Sequence, residues 1–250
     1  ALGWNISNEA FFANSPLSGV VSNLKYRLSW GMNGNEAVSG YVTLPSLTSY
    51  DYLTEDKKPL FGFYPSKMES PELGWETTRS FNTGLDYSLL SGRIYGTLDL
   101  YWSRTSDLLL EKTIPNVNGS SKIIENIGET KNNGIELQIS SVNVRTKKFS
   151  WATDFNISHY RSKIVNVGLT DENGRPADDL ASERFIGYPV NVNYDYVIDG
   201  IWQIADPSNP NGPQDAAYRY SIPGNVKYVD TDGQNDITPE DKQIIGSTIP

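Results

Sequence analysis

The sequence predicts an all-β chain of antiparallel, up-and-down strands of the kind that build a transmembrane β-barrel, with long extracellular loops. Three observations carry this. Apolar and polar residues alternate with a period of two, each alternating stretch runs for roughly ten residues, and long connections alternate with short ones. A strand in a globular domain averages about five or six residues, whereas one crossing a bilayer at a tilt needs about nine to eleven.

In chain order, the first stretch sets Leu24, Tyr26, Leu28 and Trp30 against Lys25, Arg27 and Ser29. A long polar excursion then runs to Trp75. Phe81, Thr83, Leu85, Tyr87 and Leu89 alternate with Asn82, Gly84, Asp86 and Ser88. After Leu90, Ser91 and Gly92 the pattern resumes, with Ile94, Gly96, Leu98, Leu100 and Trp102 against Arg93, Tyr95, Thr97, Asp99 and Tyr101. So short a link between two such runs is a β-hairpin. Ser103 to Asn132 is expected as a second long loop. Ile135, Leu137 and Ile139 then oppose Glu136, Gln138 and Ser140 and, after a brief link around Arg145, Phe149, Trp151, Thr153, Phe155 and Ile157 oppose Ser150, Ala152, Asp154, Asn156 and Ser158. A third long connection follows Tyr160, and in it the turn-rich Asp206 to Gln214 reads as a loop tip.

Period alone fits a soluble β-sandwich equally well, because its apolar face packs on a second sheet where a barrel's meets lipid. Connection length favours the barrel. Ser91-Gly92 and the link around Arg145 are then periplasmic turns, Thr105 to Lys131 and Arg161 to Tyr188 are extracellular, and Arg93, Asp99, Glu136 and Asp154 face the lumen.

Composition excludes some function classes. Lys+Arg 21 against Asp+Glu 30 gives a formal net charge of -9, which argues against a nucleic-acid footprint. Aromatics reach 12%, with 15 Tyr and 6 Trp, a level suited to interfacial girdles or sugar-stacking loops and also to ordinary strands. No apolar run reaches the roughly 18 residues of a transmembrane helix, and no signal peptide is visible. With no Cys there is neither a disulfide framework nor a thiolate metal site.

Several ordered segments resemble the TonB-dependent outer-membrane transporters of the starch-utilisation type (SusC/RagA-like). E-L-G-W-E-T-T-R-S-F-N-T-G-L-D-Y from Glu72 to Tyr87 resembles that family's Trp-Glu then Asn-x-Gly-Leu-Asp hairpin, and Y-W-S-R-T-S-D-L-L-L from Tyr101 to Leu110 its Thr-x-Asp-Leu-Leu strand end. N-I-G-E-T-K-N-N-G-I-E-L from Asn126 to Leu137 is similar to its Asn-x-Gly, Asn-x-Gly-x-Glu signature. Leu24 to Asn35 upstream, and Tyr196 to Gln203 and Gly224 to Asp241 downstream, complete the set. The resemblance implies import of an oligosaccharide or peptide, driven by the TonB complex, with a SusD-like surface lipoprotein as lid. It places the protein in the outer membrane of a Gram-negative, Bacteroidetes-like bacterium, in contact with lipid, and implies no enzyme activity. Members of that family carry a plug domain and a barrel of about 22 strands. No plug is found here, so residues 1–250 are expected to be a partial barrel domain that does not close by itself, its TonB contact lying in the absent plug region.

The motif with explicit site chemistry is D-T-D-G-Q-N-D-I-T-P-E-D, whose spacing is that of an EF-hand-like calcium loop. Asp230, Asp232 and Gln234 take positions one, three and five, the Asp236 backbone takes seven, and Asp241 closes the loop at twelve. Asn235 replaces the usual Gly and Asp241 the usual Glu, so Ca²⁺ is expected to bind weakly; the bland alternative is an acidic, solvated turn. Tyr194, Tyr196 and Trp202 are candidates for stacking on a sugar, with strand packing or the aromatic girdle as the plainer role. His159 is the only histidine and points away from Ser158, which excludes a nucleophile–base pair and leaves it as a girdle or surface residue. Asp178, Asp179 and Glu183 have the residue types of a glycosidase pair but no apolar wall to raise a pKa. The alternatives to a transporter are thus a soluble β-sandwich that binds carbohydrate or acts as an adhesin and, more remotely, a glycan hydrolase.

Overall fold

A computed structural model of the chain describes residues 1–36, 43–114, 122–203, 224–234 and 237–247. Its main feature is one six-stranded antiparallel sheet. The strands are β1 (Leu2–Asn5), β2 (Val21–Asn35), β5 (Glu76–Leu89), β6 (Ile94–Thr113), β7 (Lys122–Arg145) and β8 (Ser150–Asn166), neighbours in that order. Between β2 and β5 the chain makes a separate hairpin, β3 (Ser46–Leu53) with β4 (Pro59–Lys67). Beyond β8 it forms three small ladders: β9 (Leu169–Thr170) with β10 (Pro176–Ala177), β11 (Val192–Asp195) with β14 (Gln243–Ser247), and β12 (Ile198–Ile201) with β13 (Val226–Tyr228).

Strand register lines the alternating residues up into rows. On one face Leu28, Thr83, Leu100, Ile135 and His159 lie side by side, below Trp30, Phe81 and Trp102 and above Tyr26, Leu85, Leu98, Leu137 and Ile157. On the other, Arg27, Gly84, Asp99, Glu136 and Ser158 form one row. The apolar face stays open: Trp30 is 68% exposed, Phe155 51% and Ile157 54%. Among the described residues no second sheet covers it, which removes the β-sandwich expectation. The buried hydrophobics Ile164, Val167, Phe185 and Ile237 sit at the far end, beyond the alternating rows, with Phe12 at the near end.

The ends of the sheet follow connection length. Leu90, Ser91 and Gly92, all at positive φ, join β5 to β6, and Thr146 to Phe149 join β7 to β8 at the same rim. This near rim also carries Ile6 to Val20, a run of short helical turns between β1 and β2, docked where the Leu90 N–H donates to Val20 O (2.7 Å). The expected second long loop is shortened. The segment read as loop from Ser103 to Asn132 is mostly strand, because β6 runs on to Thr113 and β7 begins at Lys122, paired beyond a bulge at Thr105–Leu108. Likewise β8 carries six residues beyond the expected loop start at Tyr160, to Asn166. The turn cluster from Asp206 to Gln214 lies outside the described residues.

Candidate functional site

The polar face is organised by Arg27. Its Nε donates to Asp86 Oδ1 (2.8 Å) and its Nη2 to Asp99 Oδ1 and Oδ2 (2.8 and 3.0 Å), so one guanidinium joins carboxylates on β5 and β6. Gly84, between Arg27 and Asp99 in register, makes this reach available: a Cβ there would run into Asp99 and into the Arg27 guanidinium (2.8 Å to Nη2). Gly134 plays the same part for Tyr101, whose ring lies across the place a Cβ would occupy. Ser140, also on this face, donates to Asp154 Oδ1 (2.5 Å). Asp99 and Glu136 stand opposite one another, so the wall is acidic beside the Arg27 cluster. Of the residues expected on the lumen side, Arg93 lies at the rim and donates to the carbonyls of Val142 and Asn143 (3.5 and 3.0 Å).

A junction at the far end explains the sequence motifs. Glu76 Oε2 accepts from Asn35 Nδ2 (3.0 Å) while its Oε1 accepts from the Leu109 N–H (3.1 Å). Asn126 donates to Gly74 O (3.0 Å) and Asp107 O (2.7 Å), and its Oδ1 accepts from the Gly74 N–H (2.7 Å). Asp107 is at the bulge with φ 60. Trp75 covers Gly34, and Leu108 and Leu110 crowd Gly128. Trp-Glu, Thr-x-Asp-Leu-Leu and the first Asn-x-Gly therefore meet at one place, where the start of β5 is fastened to β6 and β7.

The acidic loop brings three of its carboxylates together. Carboxylate oxygens of Asp230, Asp232 and Asp241 lie within 4.8 Å of one another. Asp236 is outside the described residues, and Gln234 is seen through its backbone N–H, which donates to Asp232 Oδ1 (3.0 Å). Asp241 is fully shielded from solvent. Its Oδ1 accepts from the Thr231 N–H (2.7 Å) and hydroxyl (3.2 Å), and its Oδ2 from the Thr238 N–H (2.8 Å). Burial pushes the Asp241 pKa up, but these hydrogen bonds and one from the Asp232 backbone together outweigh it, and the net shift is downward. Asp230 Oδ1 accepts from the Gly233 N–H (2.7 Å). The turn is thus ordered by its own backbone donors, with the second oxygens of Asp230 and Asp232 beside it.

The three aromatic candidates are half-buried and engaged within the chain. Tyr194 packs on Phe185 (4.7 Å between centroids), Tyr196 on Tyr228 (5.4 Å), Lys242 lies over Tyr194 and Tyr196, and Lys227 over Trp202 (5.2 Å). They brace the β11–β14 and β12–β13 ladders. His159 is on the outward row and exposed, with Ser158 on the opposite face. Asp178 Oδ1 accepts from the Ile186 N–H (2.7 Å), and Asp179 from the Ser182 N–H (3.1 Å) and Arg184 (3.3 Å), so both carboxylates serve turns.

Comparison with known proteins agrees with this geometry. Residues 7–244 match the profile of a family described as TonB dependent receptor-like, beta-barrel. The chain is 31% identical over 254 residues to TonB-dependent receptor P26 of Formosa agariphila, covering 100% of this chain and 25% of that protein. It is 32% identical over 213 residues to TonB-dependent receptor SusC of Bacteroides thetaiotaomicron, covering 78% of this chain and 21% of SusC. The RagAB peptide transporter structure superposes with a TM-score of 0.63 at 26% identity over 80% of this chain and 21% of that one. The closed-closed state of the RagAB peptide importer gives 0.67 at 22% identity over 97% and 25%, a likeness of fold. The chain spans about a quarter of the length of the curated relative P26.

Proposed function

Because the chain belongs to the TonB dependent receptor-like β-barrel family, we propose that it forms part of the wall of an outer-membrane transporter that imports oligosaccharides or peptides. On this reading the apolar face meets lipid and the Arg27 face lines the lumen. A SusD-like lipoprotein closes the far end, and the TonB complex acts through a plug region. The observation that carries it is the six-stranded sheet itself, apolar on one face and charged on the other, with its short turns at one rim. Likeness to SusC of Bacteroides thetaiotaomicron supports the transporter reading, and likeness to the RagAB peptide transporter supports peptides as one substrate class.

The test is a deletion strain of the host grown on single oligosaccharides or peptides as carbon source, with the tagged full-length protein purified from the outer membrane in parallel. Loss of growth on one class, restored by the gene, together with co-purification of a surface lipoprotein, is the expected result. Unchanged growth on every oligosaccharide and peptide, and no lipoprotein, would overturn it.

The acidic loop is proposed to take Ca²⁺ on Asp230, Asp232, Gln234, the Asp236 carbonyl and Asp241, with a dissociation constant on the order of 10⁻⁴ to 10⁻³ M as in extracellular modules. Calorimetry should show calcium heat in the wild-type protein and none in Asp230→Ala. Equal heats, or none in either, would return the loop to an acidic turn held by its own hydrogen bonds.

A further inference from the structure

Just beyond its aromatic row, the outward face carries a basic one. Register places Met32, Arg79, Arg104, Lys131 and Lys163 side by side across β2, β5, β6, β7 and β8. This row lies one step further along the strands than Trp30, Phe81, Trp102, Asn133 and Arg161, so Arg161 joins it from below. Neighbouring strands are about 4.8 Å apart, so the cations from Arg79 to Lys163 cover about 15 Å of the sheet. Arg104 is tied to Glu129 on the same side (2.7 Å). Among the described residues, the side chains of Arg79, Lys131, Arg161 and Lys163 have neither a hydrogen-bond nor an ion-pair partner.

Two features make this more than a charged rim. Like charges directly opposite one another on adjacent strands are destabilising, and here Arg79 faces Arg104 while Lys131 faces Lys163. One long basic side chain at an interface is explained by snorkelling, but a continuous row on four adjacent strands calls for an anion. Position then says which anion. From Trp151 to Arg161 on β8 is about 33 Å of strand at about 3.3 Å per residue, or about 25 Å of height at a tilt near 40°. That is the height of a barrel's apolar band, so the basic row sits where head groups begin, on the rim of the long connections.

We propose that this row binds the phosphate of a glycolipid head group in the outer leaflet, with the acyl chains lying on the Leu98, Leu100, Ile135 and Ile157 surface below. The inference rests on the transmembrane reading given above. The full-length protein, purified in non-ionic detergent, would be mixed with diphosphorylated lipid A or with its dephosphorylated form, and bound lipid counted by native mass spectrometry. Wild type should hold the phosphorylated lipid about tenfold better or more, the scale set by several basic residues acting on one anionic head group. The combined R79Q/K131Q/K163Q variant should lose that preference, while Arg93→Gln on the opposite rim keeps it. Heat-modifiable gel mobility reports folding in every sample. Should the triple variant not fold, R79Q and K163Q singly should each lower binding severalfold. Folded variants that bind lipid A as wild type does, or a wild type indifferent to phosphate, would overturn the proposal. A protein monodisperse without detergent would overturn the transmembrane reading beneath it.

Discussion

Arg27 and Asp241 show how single side chains hold this chain in shape by answering more than one partner. Arg27 bridges two carboxylates across three strands, and its side chain is 38% exposed, so its worth is discounted from that of a buried charged hydrogen bond. Arg27→Ala should destabilise the folded barrel by about 1–2 kcal/mol, since it removes these bonds and leaves Asp86 and Asp99 in mutual repulsion. Gly84→Val should cost as much or more by displacing the guanidinium. Thermal unfolding followed by gel mobility measures both, and a Gly84→Val barrel as stable as wild type would show that the reach over Gly84 carries no weight. Asp241 gives a pH dependence. Its folded pKa lies below the ordinary 3.8, so its stabilisation is complete above that value and is lost as pH falls through the lower folded one. The stability gap between wild type and Asp241→Asn should therefore be constant at neutral pH and close below about pH 4. The acidic loop was legible because Asp230, Asp232 and Asp241 are close in sequence. The Arg27 cluster was not, because Asp86 and Asp99 lie 59 and 72 residues away and meet it only once register is fixed.

The strands were legible where alternation is strict and illegible where the chain departs from it. Leu24 to Trp30, Phe81 to Leu89 and Ile94 to Trp102 read directly, and each lies inside a longer strand. The continuation of β6 was hidden by the bulge at Asp107, which puts Leu108, Leu109 and Leu110 in an apolar run with no period of two. β7 starts early for a similar reason: Ile123, Ile124 and Ile127 do not alternate, and what holds the segment is pairing of Ile123 and Ile124 with Lys112 and Glu111 of β6, with the Lys112–Glu125 pair (3.3 Å) alongside and Ile127 skipped at a shift in register. The β3–β4 hairpin is largely exposed and the helical turns of the near rim are short, and they carry little periodic signal. Where alternation holds, it predicts the response to charge. Leu98 lies mid-row on the outward face and Thr97 on the polar face beside Gln138. Leu98→Arg should cost about 2–4 kcal/mol and reduce the amount of assembled protein, while Thr97→Arg is tolerated. Outer-membrane yield of the two variants measures this, and equal yields would show that the Leu98 face does not meet lipid.

At the scale of the whole molecule, the sheet is an open arc. Among the described residues β8 pairs along its length with β7 alone, with one further bridge from Ile164 to Ile186 near its end, and β1 covers just four residues of β2, from Lys25 to Leu28. Both edges present unpaired backbone groups, and in a bilayer each such group costs several kcal/mol unless another strand takes it. A wide apolar face runs between those edges, with Trp4, Trp30, Trp102, Trp151 and Phe155 all exposed. Closing the arc needs further strands from the same barrel, consistent with a chain spanning about a quarter of its relative P26. The 250 residues produced alone should accordingly fail to give a monomer in water, while detergent or lipid lowers the cost of the face but not of the edges. Sedimentation velocity with and without detergent separates these contributions. Aggregates in buffer and a broad, still associated species in detergent are expected, because detergent covers side chains and cannot hydrogen-bond a strand edge. A sharp monomer in buffer would mean that the apolar rows find a cover within the chain, and the barrel-wall reading would fall with it. A sharp monomer in detergent alone would keep that reading and show that the edges of β2 and β8 find partners in the chain's own far-end connections.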